Sequence, residues 1–210
     1  MEELDLLKKD WKRKENSFSQ VSENEIYGML HRKSSSIVKW ILIISILEVL
    51  LWTAISFIYS TDDYLKSLKH EELLVYFRVL NYFNYAVVLV FIYLFYKNYI
   101  HISTTSSTRK LMKDILKTRK TVQYYVWYNL LMIVFGLIAG FILAFTYNPE
   151  IGVLKEKMAS EGKYMAITLG ILTLTVAVAV GLFWLFYRLL YGILLRKLLS
   201  NYKELKKIDL

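Results

Sequence analysis

The sequence predicts an all-α integral membrane protein, a four-helix bundle whose helices continue past one membrane face. Three observations predict it. First, 56% of the residues are hydrophobic and only one is proline. The apolar residues gather in four long blocks instead of the short periodic elements of a soluble core. Second, the blocks at about 37–60, 73–96, 122–147 and 164–190 each hold at least 24 residues. As a helix, 24 residues cover about 36 Å, against a hydrocarbon core of roughly 30 Å. Third, positive charge is asymmetric. Segments 1–36, 97–121 and 191–210 carry 7, 7 and 5 lysines or arginines, while 61–72 and 148–163 carry 2 and 3. The positive-inside rule then places both termini and the basic connection in the cytoplasm.

The chain divides into a cytoplasmic amphipathic tail, 1–36, and a four-span domain, 37–210. In the tail, Leu4, Leu7 and Trp11 fall at helical spacing among Lys8, Lys9, Lys12, Arg13 and Lys14. Ser22 followed by Glu25 is a capping box, and Ile26, Met29 and Leu30 form the apolar side of the helix it starts. These six apolar residues suit a lipid surface or a partner protein equally. A signal peptide is not expected. The first apolar run begins after 36 mostly polar residues and exceeds the roughly 7–15 residues of a signal core.

Span one carries Glu48 at its midpoint, where an ionisable group is costly. Span two carries Arg78, Asn81 and Asn84 at i, i+3 and i+6, which share a face. In the basic connection, Lys110, Lys113, Lys117 and Lys120 line one side of a helix that runs into span three. Leu111, Ile115 and Leu116 line another. Asn148-Pro149 ends span three, because proline cannot continue the helical ladder. A loop leads to Lys163, and the pattern of span four continues toward Lys207.

Depth along the helices selects contacts. Counted from the cytoplasmic ends at about 1.5 Å per residue, Glu48 lies about 16 Å up, Asn84 about 18 Å and Arg78 about 27 Å. Glu48 is therefore expected to meet Asn84, with Asn81 nearby. A hydrogen bond locking two helices outweighs a proton or cation site. Spans three and four offer only Asn129, Thr173, Thr175 and scattered tyrosines for a transport path. The GxxxG of Gly136 and Gly140, with Ala177 and Gly181 in span four, supplies small positions for helix packing, expected inside one bundle ahead of a dimer interface.

Enzyme signatures are missing. His31, His70 and His101 fall in three separate segments, and the chain has no cysteine. There is no HExxH, GxSxG, P-loop or glycine-rich dinucleotide turn. No catalytic residue, metal or cofactor is expected. The net charge of +9 flanks the spans, where it meets anionic lipid, so nucleic acid is not an expected partner.

The segments LDLLKKDWKRKE at 4–15 and ENEIYGMLHRKSSSIVKWILIISILEVLLW at 23–52, followed by the remaining spans, resemble a group of small bacterial membrane proteins often encoded beside an extracytoplasmic-function sigma factor. The resemblance implies a membrane-anchored anti-sigma regulator of the bacterial inner membrane. The zinc-binding HxxxCxxC of many anti-sigma proteins is missing here. Relatives are sometimes labelled beta-carotene monooxygenases, but that chemistry uses a four-histidine iron site on a soluble propeller, and this chain has three histidines. The reading is a non-enzymatic regulator whose tail docks a cytosolic partner such as a sigma factor. Alternatives are a small transporter using Glu48, or a subunit of a larger membrane complex.

Overall fold

A computed structural model describes residues 22–58 and 72–208. Leu4, Leu7 and Trp11 lie outside the described residues. Among the described residues the chain forms six α-helices and one 3-10 turn. The helices are α1 (Glu23–Ile58), α2 (Glu72–Thr104), α3 (Thr108–Tyr147), α4 (Gly152–Ser160), α5 (Gly162–Leu190) and α6 (Gly192–Ile208). Helices α1, α2, α3 and α5 are long and apolar enough to cross a membrane.

Several starts and stops have local causes. Ser22 N–H donates to Glu25 Oε2 at 2.9 Å and Ser22 Oγ accepts from Glu25 N–H at 3.3 Å, so the capping box forms. The boundary expected at 36/37 falls inside α1, which runs through Ser34, Ser35 and Ser36 unbroken. Asn148 leaves the helical region, and Pro149 then opens the 3-10 turn at its first position. The segment after it, read as a loop, contains α4. The helical pattern after span four is also not one continuous rod. Tyr191 separates α5 from α6 but keeps near-helical dihedrals of −99° and −28°. The hydrogen-bond ladder passes through it, from Tyr191 N–H to Tyr187 O and from Leu195 N–H to Tyr191 O.

The 36 residues of α1 and 40 of α3 give lengths of about 54 and 60 Å, well beyond a hydrocarbon core of roughly 30 Å. The surplus forms a second bundle at the basic end of the molecule. There, Leu30, Val38, Ile102, Leu111, Ile115, Leu198 and Leu205 build one core from α1, α2, α3 and α6. Lys110, Lys113, Lys117 and Lys120 are exposed around it. Several polar groups inside this end find partners, whereas the buried His31 Nε2 and Arg119 Nε have no hydrogen-bond partner among the described residues. Asn201 Nδ2 donates to Ser34 Oγ at 3.0 Å. Tyr27 OH donates to Thr105 O at 3.0 Å, and burial pushes that phenol's pKa above its ordinary value. Thr105 Oγ1 reaches Asp114 Oδ2 at 3.3 Å.

A second core continues deeper with Ile41, Val88, Phe95, Val122, Tyr125, Leu130, Tyr187 and Tyr191. In α1 the buried positions are 30, 34, 38, 41, 45 and 48. Steps of four and three residues keep these positions on one stripe of a straight α-helix. Serines at 34 and 45 let neighbouring helices approach closely.

Glu48 is the last buried residue of α1. Toward the distal end, beyond this level, burial falls, although α3, α4 and α5 still share a cavity of ≈ 400 Å³ lined by Leu137, Phe141, Leu154 and Ile167. Phe57 is 85% exposed and Leu174 65%, and no part of the most apolar stretch of α5 is buried within the described residues. The glycines expected to pack spans together lie in this open half. A Cβ built on Gly136, Gly140 or Gly181 meets nothing within 4 Å, and Ala177 is exposed. Intramolecular packing through these positions is therefore not observed among the described residues.

The basic-end core should dominate stability. Ile102→Ala or Leu198→Ala should each cost about 2–5 kcal/mol through loss of buried surface and cavity formation. Leu174→Ala should cost about 0.5 kcal/mol or less. Unfolding in mixed micelles, followed by circular dichroism, checks the contrast.

Candidate functional site

Glu48 is 4% exposed, and its partners come from the opposite side of the bundle. Tyr187 OH donates to Oε1 at 2.6 Å, and Tyr191 OH donates to Oε2 at 3.0 Å. Spacing of four residues on a helix places the two phenols one above the other, and their rings stack with centroids 6.2 Å apart. The ring of Tyr125 meets both edge-on, with centroids 6.5 and 6.0 Å away. Each carboxyl oxygen thus has a hydroxyl donor inside an aromatic enclosure. A buried carboxyl without donors would be costly, so two phenols offset much of its desolvation.

The expected Glu48–Asn84 contact does not form. Asn84 Oδ1 instead accepts from Tyr128 OH at 2.9 Å. Depth counting failed because apolar runs on different helices do not end at one level. Tyr187 and Tyr191 sit at the very end of the fourth run, yet they are level with the middle of the first. The signal was present as two tyrosines at i, i+4 in FWLFYRLLYG. It was submerged among the chain's 17 tyrosines.

Where packing stops, a cavity of ≈ 340 Å³ begins, within the roughly 300–1,000 Å³ typical of small-molecule sites. Glu48, Tyr125 and Tyr187 line its base, Trp52 and Phe183 one wall, and Asn81, Asn84 and Asn129 add polar groups. The site therefore brings Glu48, Asn81 and Asn84 together around one space. Arg78 occupies an exposed position on α2 and does not line it. Asn129 Nδ2 donates to the Tyr125 carbonyl at 2.9 Å, so its Oδ1 stays turned to acceptance.

The other site residues fall elsewhere. Leu30 is buried in the basic-end core and Ile26 packs against it. Of the three apolar residues expected to dock a partner from this segment, Met29 alone is exposed, at 49%. Among the described residues, no group of three His, Asp or Glu side chains converges as a metal site would require.

Fold and site together define a helical bundle with four membrane-length spans and a buried, phenol-bound carboxyl at the base of a cavity. The chain belongs to the domain-of-unknown-function family DUF8845, whose profile matches residues 24–210. No curated protein and no solved structure matches it.

Tyr187→Phe and Tyr191→Phe should each lower stability by about 1–3 kcal/mol, because each leaves a carboxyl oxygen without its donor. Tyr128→Phe, at a less buried position, should cost under about 1 kcal/mol. Thermal unfolding of the three variants in mild detergent orders them.

Proposed function

We propose that the protein is a non-enzymatic, multi-pass membrane regulator in which occupancy of the Glu48 cavity is transmitted to the basic end, where a cytosolic partner is held. One observation carries the reading. Glu48 binds Tyr187, in the last turn of α5, and Tyr191, the residue between α5 and α6, and α6 in turn packs Leu198, Asn201 and Leu205 against α1 and its neighbours. A group entering the cavity and drawing Glu48 from its phenols would free that joint and loosen the α1–α6 contact. Coupling of this kind needs an element with two arrangements biased by the ligand, and in this reading the α5–α6 joint is that element.

In this reading both termini face the cytoplasm of a bacterial cell, across its inner membrane. The nineteen lysines and arginines at the basic end and tails, against five on the opposite connections, support that orientation. The partner is a cytosolic protein such as a sigma factor, and Leu4, Leu7, Trp11 and exposed Met29 are the contact residues. The sequence resemblance supports this choice of partner. A transporter using Glu48 is the second reading, favoured by the polar cavity. Against it, Ile41, Phe95, Val122 and the basic-end core fill the bundle below Glu48. Open space at Gly136, Gly140 and Gly181 leaves a lipid-facing surface for a second copy or another membrane subunit.

Two measurements test the regulator. Leu7→Asp with Trp11→Ala, or deletion of residues 1–21, should abolish co-purification of a cytosolic partner without disturbing membrane insertion. Longer deletions would remove Leu30 from its core. Retained binding in both versions ends the docking assignment. The chain has no cysteine, so spin labels on Met29→Cys and Lys203→Cys can report the α1–α6 distance in lipid nanodiscs. Tyr187→Phe with Tyr191→Phe should broaden and lengthen that distance distribution. An unchanged distribution would break the link between site and basic end.

A further inference from the structure

The cavity's lining also carries information about what enters it. Glu48 is a carboxyl group almost wholly removed from solvent, and none of the described residues that line the cavity is a lysine, arginine or histidine. Its hydrogen-bond donors are phenols, those of Tyr187 and Tyr191. Each oxygen uses one acceptor direction on a tyrosine and keeps capacity for another. Asn129 spends one of its two amide hydrogens on the Tyr125 carbonyl and keeps Oδ1 as an acceptor, while Asn84, whose Oδ1 accepts from Tyr128, offers amide hydrogens. Glu48 is the one carboxyl among the described residues that line the cavity.

Ring faces add to the same preference. Trp52 and Phe183 sit side by side in the wall with centroids 5.6 Å apart, and Tyr125 and Tyr187 close the base. Aromatic faces carry negative potential and attract ammonium groups within about 6 Å, most strongly when water is excluded. Farther along α1, α2 and α3 the lining is mostly aliphatic, with Ile55, Leu80, Met132 and Ile133, and Ser56 and Asn81 are interspersed there.

We infer that the cavity binds a cationic amphiphile, with an ammonium head seated between Glu48 and the rings of Trp52, Phe183 and Tyr187 and an alkyl chain running along the aliphatic lining toward the distal half. The inference rests on the reading of the cavity as the regulatory site and names its ligand class. An ammonium bound there competes directly with Tyr187 and Tyr191 for the Glu48 oxygens. An anionic head would meet Glu48 with no compensating cation, and a neutral head would forgo both the carboxyl and the ring faces.

Three probes with the same decyl chain, brominated at carbon 5 so that the bromine stays near a head seated at Trp52, separate the possibilities: 5-bromodecyltrimethylammonium, 5-bromodecanol and 5-bromodecanoic acid. Bromine quenches nearby tryptophan. The difference in quenching between the native full-length protein and Trp52→Phe, both in nanodiscs of one composition, isolates the cavity from general partition into lipid. The ammonium probe should show saturable Trp52 quenching at a concentration at least tenfold lower than either other probe. Glu48→Gln should raise its half-saturation at least tenfold and leave that of the alcohol within twofold. Should Glu48→Gln fail to fold, Asn129→Leu, which leaves the tyrosine bonds in place, should raise the ammonium half-saturation several-fold. Equal half-saturation for all three heads would make the cavity a slot for any alkyl chain and overturn the inference. Tighter binding of the acid, or no saturable Trp52 quenching by any probe, would overturn it as well. The α1–α6 spin-label distance keeps the two claims apart. Saturable ammonium binding without a distance change preserves the ligand class and removes the regulatory reading. A distance change in the tyrosine variants without ammonium binding does the reverse.

Discussion

A carboxyl group inside an apolar helical bundle must find donors, and the arrangement of this protein follows from how Glu48 finds them. Its position on α1 is the last of a seam that keeps serines and aliphatic side chains turned inward from Leu30 onward. Two hydroxyls from the α5–α6 joint reach it, one per oxygen. Those bonds tie the first long helix to the end of the last one, across 139 and 143 residues of sequence. An aliphatic residue at the same position would fill space but would not specify which faces of α1 and α5 must meet. Hydrogen bonds with fixed donors and acceptors do, at the cost of desolvating a charged or chargeable group.

The consequence is a molecule of two unlike halves. Below Glu48, helices interlock through two consecutive cores, and several buried polar side chains there are paired within the protein. Above it, burial falls and many apolar residues turn outward, where surrounding hydrocarbon is as apolar as any protein neighbour would be. The boundary between these regimes is the cavity. Local stability must fall across the boundary, because buried contacts decline toward the distal end. A site located there can respond to a ligand without dismantling the folded end that would present a partner surface. The basic exterior of that end gives it the charge suited to anionic lipid headgroups.

Much of this was legible in the sequence, and the rest was obscured for physical reasons. Four apolar blocks of spanning length announced the four long helices, Ser22 and Glu25 announced the start of α1, and Asn148-Pro149 announced the end of α3. Glu48 stood out because an acidic residue in such a block is costly. Its partners did not, because tyrosine is at home both at lipid interfaces and in cores, so position in sequence does not reveal which of them turns inward. The seam of α1 was hidden by Ser34 and Ser45, which read as polar interruptions of an apolar stripe when they are small packing positions. The glycines misled in the opposite sense. GxxxG permits close approach but does not compel it, and in the described residues Gly136 and Gly140 have no neighbour to approach. The break between α5 and α6 at Tyr191 left almost no trace, since its dihedrals stay close to helical.

The most direct test of the central bond is a double-mutant cycle between Glu48→Gln and Tyr187→Phe, read as unfolding free energy in one lipid–detergent mixture. Residues that share a hydrogen bond in a membrane bundle couple by about 0.6 kcal/mol or more. A coupling of that size, with the double variant losing less than the two single losses together, is the expected result. Losses that add to within about 0.3 kcal/mol would mean that carboxyl and phenol act independently, and the connection from cavity to basic end would lose its physical basis.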